Sequence, residues 1–438
     1  MNVVLRLVDQ ARTLLLPLLR KGFWAIGDQG LFAGANFLLN ILLARWLSPE
    51  AYGAFAIAYS IFVFIGIMNA SFLIQPMLVF GSERFAGRFP AYLRLLLLRG
   101  TGGFAAIGAL LLAAGASWFA YTGSADLSLA LFGLALTLPF LLFVRVARRA
   151  LYVHDHHHWA TLGGGVYLAC IATLLYGVHA YATVSVWTAM LVLGGASVVS
   201  GGFMSSYLEG WTTARADSSL VDEVLQRHWE FGSWAAGTGA ANWMMGNIYI
   251  LVLPLWGSLE ASGAFKALMN LVKPVLHTYS AFSMLLIPEF VEALSKGRFW
   301  QKALLVSACL LGGSGAYWLL IGLFGPEIMG LLYGDQYSTY APLLWVLGAY
   351  PFLDSARVVL EAGLRAIERP DWLFWAYVGG ATMTLTAGLG LLAQHGILGA
   401  MLGLTASSAI VSVGSLYFLV PLFDRTAEFQ NPKTQSRE

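Results

Sequence analysis

Apolar runs of roughly 20 residues recur along the chain, separated by short polar breaks. A helix rises about 1.5 Å per residue, so each run matches the ~30 Å hydrocarbon core of a bilayer. In lipid a backbone must satisfy its own N–H and C=O groups, which leaves helices or a closed barrel. A barrel would alternate polar and apolar residues in segments of about ten, and this sequence does not. The chain therefore reads as an all-α polytopic membrane protein. Composition agrees: 58% of residues are hydrophobic and 11% charged, where a soluble domain carries about 25% charged residues. Abundant glycine, 48 residues, suits close helix packing in lipid. Cys170 and Cys309 both fall inside apolar runs and read as small buried hydrophobes, with no disulfide or zinc framework.

The runs divide into twelve expected spans, at about 22–46, 50–80, 93–120, 126–150, 159–179, 183–208, 229–255, 260–291, 301–324, 340–365, 371–393 and 396–421. Before them, Val4, Leu7, Val8, Ala11, Leu14, Leu15 and Leu18 follow helical spacing with Arg6, Arg12 and Arg20 between them. Residues 1–21 are thus expected to form an amphipathic helix on the cytoplasmic membrane surface. Residues 22–208 form an N-terminal six-helix bundle, 209–228 a charged cytoplasmic linker, 229–421 a C-terminal six-helix bundle and 422–438 a cytoplasmic tail. The positive residues set the orientation. With both termini cytoplasmic, the inner segments take most of the 25 Lys and Arg. The outer links 121–127, 179–183, 256–261, 325–339 and 394–396 contain none.

The chain repeats itself. Trp46-Leu-Ser-Pro-Glu-Ala-Tyr-Gly-Ala-Phe55 returns 210 residues later as Trp256-Gly-Ser-Leu-Glu-Ala-Ser-Gly-Ala-Phe265. Ser48 is a good N-cap, Pro49 suits the first helical position, and Glu50 complements the positive helix end. The motif therefore reads as a corner between two spans. Pro139, Phe140 and Arg145 likewise match Pro351, Phe352 and Arg357 at an offset of 212. Six spans per copy is an even number, so both copies enter the membrane in the same direction. This implies two parallel six-helix bundles related by a pseudo-two-fold, the arrangement that frames a central cavity.

Intramembrane charge marks candidate sites, because Lys or Arg at mid-membrane costs roughly 2.5–3.5 kcal/mol on insertion scales. Lys273 lies near the middle of span eight, and Lys266 lies seven residues earlier on the same face. Arg145 and Arg357 are repeat equivalents in the inner half. These four, Arg145, Lys266, Lys273 and Arg357, are candidate substrate-binding cations forming a ladder across the bilayer. The alternative is that each pairs with a buried acid. Lys266 and Lys273 align with Ala56 and Val63 in the first copy, so the architecture does not require charge there. Asp354, Arg357, Glu361 and Arg365 make one polar stripe whose spacing permits mutual pairing. Asp28, Asp354 and Glu361 are therefore candidates for ion coupling or charge pairing. His154-Asp-His-His-His158 reads as a solvated turn, since short histidine tracts are only compositional evidence for metal. No Walker, G-x-S-x-G or H-E-x-x-H motif occurs. No metal or organic cofactor is expected, only H⁺ or Na⁺ as a coupling ion.

The stretch Ala44-Arg-Trp-Leu-Ser-Pro-Glu-Ala-Tyr-Gly53, with Leu332-Tyr-Gly-Asp-Gln-Tyr337 and Ala341-Pro-Leu-Leu344, resembles polysaccharide flippases of the O-antigen (Wzx-like) type. These belong to the multidrug/oligosaccharidyl-lipid/polysaccharide exporter superfamily. The resemblance implies translocation of a polyprenyl-pyrophosphate-linked oligosaccharide from inner to outer leaflet by alternating access. It implies a cationic cavity between two bundles, a bacterial inner (cytoplasmic) membrane location, and roles in lipopolysaccharide or exopolysaccharide biosynthesis. A lipid-linked oligosaccharide would be the principal partner, with a polysaccharide polymerase or chain-length protein alongside and no nucleic acid. A drug or metabolite exporter of the same superfamily shares the twelve spans and the doubling. A membrane-embedded polymerase or glycosyltransferase would want a sizeable extramembrane domain, and the longest link here is about twenty residues. A transporter is expected, not an enzyme.

Overall fold

The computed structural model describes residues 2–420, apart from the side chains of residues 2–22, 280, 281, 284 and 370; the tail 422–438 lies outside the described residues. All regular structure among them is helical. Helices α1 (Asn2–Trp46) and α2 (Pro49–Phe80) are followed by α3 (Ala86–Tyr121), α4 (Ala125–Val153), α5 (His157–Tyr181) and α6 (Val186–Ser205). Next come α7 (Ser218–Trp256), α8 (Leu259–Ser295), α9 (Phe299–Leu323) and α10 (Ala349–Ala366). The final stretch is helical throughout, but Gly396 turns the chain at φ 57° and makes it two passes, α11 (370–395) and α12 (397–419). A Cβ on Gly399 would overlap the carbonyl of Leu391, so only glycine lets α12 leave so close to α11.

Nine segments of the described residues are long and apolar enough to cross a membrane. The last of them, Asp371–Leu419, contains both α11 and α12. Helices α7 and α8 fall outside the nine because of their polar content, which in α8 includes Lys266, Lys273, Glu289 and Glu292. Large apolar side chains stand exposed along the helices, among them Leu110, Leu111, Leu305 and Val413. On spans of this length such residues are the lipid-facing surface.

Helix starts follow their sequence signals. Ser48 accepts the N–H of Ala51 at 3.2 Å, with Pro49 and Glu50 next. Ser258, its repeat equivalent, holds the extended N-cap conformation but makes no side-chain cap bond. Helix α6 opens with a full capping box between Ser185 and Thr188. Three π-helical turns, Ala70–Ile74, Leu95–Gly100 and Thr384–Gly388, interrupt α2, α3 and α11. The first two meet, because Gly100 leaves room for Leu73.

The chain clusters into two compact units. The first contains the chain up to Leu47 together with Ile61–Ala236; the second contains Ser48–Ser60 together with the chain from Gly237. In the first unit, small residues set the helix contacts. Gly194 of α6 faces Thr137 of α4, and a Cβ on Gly133 would stand 2.8 Å from Met190. Ser200 donates to the carbonyl of Gly163 at 2.8 Å, and Thr161 to that of Trp24 at 2.7 Å. Phe85, Phe89, Tyr92, Leu96, Val146 and Leu151 lie in its buried core. The start of α7 is tied in by His228, which contacts the Phe72 carbonyl at 2.6 Å and the Tyr92 hydroxyl at 2.7 Å. In the second unit, Gly388 and Gly403 both close on the Tyr249 hydroxyl, and Gly348 closes on Trp318. There the two copies of the repeated corner also pack together through Gly53 and Gly263.

The structure adds to the sequence reading in three places and differs from it in a fourth. Helix α1 runs unbroken from Asn2, so the stretch 1–21 continues directly into the first span. Helix α7 starts at Ser218, well before 229, because Asp217 caps it: its carboxylate accepts the Leu220 N–H at 2.9 Å. The link 325–339 is helical, with Gly325–Tyr333 started by Pro326 and a 3₁₀ stretch Gly334–Leu343 following. Cys309 is exposed on α9 instead of buried.

Candidate functional site

The predicted site residues fall into three groups. The first lies in unit two on the N-terminal half of α8. Lys266 is 2% exposed, and it interacts directly with Lys273, two turns along the same face. Asn270 stands between them. Its Oδ1 accepts a proton from Lys273 Nζ at 3.2 Å, and its Nδ2 donates to the Tyr52 hydroxyl at 2.9 Å. The Lys266 ammonium sits 4.5 Å over the Tyr59 ring, a cation–π contact. Tyr333, from the short helix after α9, donates to the Ala267 carbonyl at 2.9 Å. Among the described residues no carboxylate pairs with either lysine.

The second group, also in unit two, is built on α10. Arg357 donates to Asp354 through Nε at 2.6 Å and Nη2 at 2.9 Å. Its Nη1 bonds Glu361 and, at 2.8 Å, the Tyr377 hydroxyl. Tyr377 of α11 donates to Glu361 at 2.8 Å, and Ser408 of α12 to Asp354 at 2.7 Å. Arg365 approaches Glu361 at 3.6 Å from a more exposed position. Asp354 and Glu361 are 1% and 5% exposed, so this is a buried, closely hydrogen-bonded ion cluster. It joins α10, α11 and α12.

The third group lies in unit one. Asp28 is fully buried and accepts Arg148 Nε at both carboxylate oxygens, at 2.8 and 2.9 Å. The Tyr152 hydroxyl also donates to it. Arg148 Nη2 reaches Gln29 at 3.2 Å, and its guanidinium lies 4.0 Å over the Phe32 ring. One helical turn away, Arg145 donates to the Gly66 carbonyl at 3.2 Å and approaches the Phe62 ring at 5.9 Å. Gly66 makes room for it: a Cβ there would stand 3.0 Å from the guanidinium carbon.

The four candidate cations are therefore held differently. Lys266 and Lys273 meet each other. Arg357 is enclosed by the two carboxylates of its own stripe, and Arg145 binds backbone and ring in the other unit. The repeat equivalents Arg145 and Arg357 thus share a position but not a chemistry. Sequence reasoning missed Arg148, counted among cytoplasmic residues, and the hydroxyls of Tyr52, Tyr152, Tyr377 and Ser408. Only Asn270 had a local signal, since it falls on the face joining Lys266 to Lys273. The other partners come from distant helices.

By sequence alone the chain matches no family profile and no curated protein. Its fold does match solved structures. A multidrug resistance MATE family transporter of the MOP superfamily, in an inward-facing conformation, superposes with a TM-score of 0.71 at 14% identity; 92% of this chain and 96% of that one are covered. The MATE multidrug transporter DinF-BH, in complex with R6G, gives 0.66 at 16% identity over 95% and 97% of the two chains. A MOP superfamily transporter from Pyrococcus furiosus, described as having a binding pocket of reverse polarity that suggests a different function, gives 0.60 at 15% identity over 94% and 96%. The chain has the fold of these MATE transporters, with its two six-helix halves.

Proposed function

We propose that this chain is a membrane exporter working by alternating access, and that its cargo is a drug-like or metabolite-like amphiphile. The observation that carries this reading is the agreement with MATE transporters over 92% of the chain. Charge then narrows the cargo. A pocket for cationic drugs would want free carboxylates, yet Asp28, Asp354 and Glu361 are each engaged by an arginine. Among the described residues, the buried Lys266 and the half-buried Lys273 meet no carboxylate, which favours an anionic cargo.

That same pair supports a narrower second reading. A polyprenyl-pyrophosphate-linked oligosaccharide is an anionic amphiphile, and flipping it across a bacterial inner membrane would need cationic partners for the pyrophosphate. In this reading the cargo is an O-antigen or exopolysaccharide repeat, and polymerase or chain-length proteins receive it outside. H⁺ or Na⁺ coupling would fall to the carboxylates, with Asp28 the foremost.

Reconstitution tests the two. Purified protein in liposomes should move an anionic amphiphile down an imposed ion gradient and leave a cationic dye of equal size behind. Preferential movement of the cationic dye would defeat the anionic reading. Loss of the gene, in a strain assembling a surface polysaccharide, should strand lipid-linked oligosaccharide on the cytoplasmic leaflet if the second reading holds. Unchanged oligosaccharide in the outer leaflet would leave the metabolite exporter as the surviving cargo class.

A further inference from the structure

We infer that Lys266 and Lys273 act as one unit that binds an anion together with a proton. The inference rests on the reading of this pair as the anion site and adds a coupling property to it. Lys266 is 2% exposed and Lys273 half-buried, and the two amines interact across two turns of one helix face, with Asn270 between them. The bases in the two ion clusters are neutralised: Arg148 by Asp28, and Arg357 by Asp354 and Glu361. This pair is not.

Among the described residues, the groups around the two amines supply no negative charge. Tyr52 and Tyr59 face them from α2, and Tyr333 bonds the α8 backbone beside them at Ala267. Tyr317 of α9 donates to the Leu271 carbonyl, and His277 lies one turn beyond Lys273. Phenols are neutral near pH 7, and a histidine adds only positive charge. Two ammonium groups in contact repel strongly in a low-dielectric site. A single shared proton removes the repulsion, one amine donating an N–H to the lone pair of the other. Asn270 Oδ1 can accept a further N–H of Lys273 in either state.

A bound anion changes the balance. A dianion between the amines favours charge on both, so the free lone pair takes one proton from solvent as the anion enters. The proton leaves by the same route when the anion departs. Linkage makes the effect reciprocal: protonation tightens anion binding by the factor by which the anion tightens proton binding.

The test is calorimetry on the purified full-length protein. The probe is ethane-1,2-disulfonate, a dianion that does not itself titrate near neutrality. Titrations at one mildly alkaline pH use buffers of different ionisation heat. The expected result is a binding heat that varies with the buffer, corresponding to uptake of about one proton per anion. Affinity should rise by up to about tenfold per unit fall in pH over the titration window. The double variant Lys266→Arg/Lys273→Arg, which fixes both charges permanently, should bind the anion without proton uptake, whereas either single variant keeps one titrating amine and should still take up a proton. Binding with a buffer-independent heat in the unaltered protein would overturn the proposal and leave the anion site intact. Absence of saturable binding would remove the anion reading and the proposal together. Proton uptake persisting in the double arginine variant would place the titrating group elsewhere and also overturn it.

Discussion

Gly53 and Gly263 occupy the same position in the two copies of the repeated corner, and they pack against each other. A Cβ on Gly53 would overlap the carbonyl oxygen of Leu259; one on Gly263 would stand 2.7 Å from the carbonyl oxygen of Pro49 and 3.1 Å from the Gly53 nitrogen. The glycine retained in both copies is therefore a mutual contact, letting α2 and α8 approach backbone to backbone. Gly53→Ala and Gly263→Ala should each destabilise the protein by about 1–3 kcal/mol, the ordinary cost of overpacking. Gly30→Ala is the control, because no heavy atom lies within 4 Å of a Cβ there. Thermal unfolding in detergent measures the difference. Equal melting temperatures for all three variants would mean that the contact bears no weight.

Arg357 holds two carboxylates, so its removal differs from that of an ordinary pocket residue. Arg357→Met leaves Asp354 and Glu361 buried with their main counter-charge gone, at a cost of about 3–5 kcal/mol. Combining it with Asp354→Asn and Glu361→Gln should recover most of that loss. Folded yield from membranes and melting temperature report both effects. A stable single variant with an equally stable triple variant would argue against a structural ion cluster.

Asp28→Asn keeps an oxygen for Arg148 while removing the charge. If Asp28 couples transport to an ion, the variant should lose gradient-driven uptake severalfold and retain downhill exchange. Arg148→Met, by contrast, should lower stability first, because it strands a fully buried carboxylate. Proteoliposome transport with and without the gradient separates the two behaviours. Identical gradient dependence in Asp28→Asn and the parent protein would make Asp28 structural.

Asp217 gives α7 a pH-dependent start. Its carboxyl is held below the usual carboxylate range, first by the Leu220 N–H and then by Ser219 and Arg88. A depressed folded value means that the stabilisation is present above the unfolded value of about 4. It is lost as pH falls through the folded value. Hydrogen-exchange protection at the first turn of α7, taken relative to the intrinsic rate at each pH, should therefore fall in acid and be unchanged between mildly acidic and neutral pH. Asp217→Ala should show the low protection at every pH, while Asp217→Asn, also a good cap, should not. Acid-independent protection in the parent protein would show that the cap is irrelevant.

The spans were legible because lipid imposes a length and a polarity on each, and because Ser48, Pro49 and Glu50 mark a helix start in plain sequence. The early start of α7 was hidden, since Asp217 reads as one more charge in a charged linker. The helical turns of Gly325–Leu347 were hidden by Gly334 and Pro342, which signal a loop in isolation. At the sites, local spacing reached only as far as one helix. The Asp354–Arg357–Glu361 stripe and the Lys266–Lys273 register could be read from i+3, i+4 and i+7 intervals. The Asp28–Arg148 pair could not, because its partners are 120 residues apart. For the same reason nothing local pointed to Tyr377 or Ser408.

The residence of Ser48–Ser60 in the second unit has an implication for synthesis. The ribosome makes this segment early, yet its bonding partners, Trp243 for Ser60 and Asn270 for Tyr52, emerge much later. During translation the second span must wait in the bilayer with part of its interface unfilled. A gene cut within residues 206–217 would separate the segment from its partners. The two fragments should then mature only when made in the same cell, each alone becoming a substrate for membrane quality control.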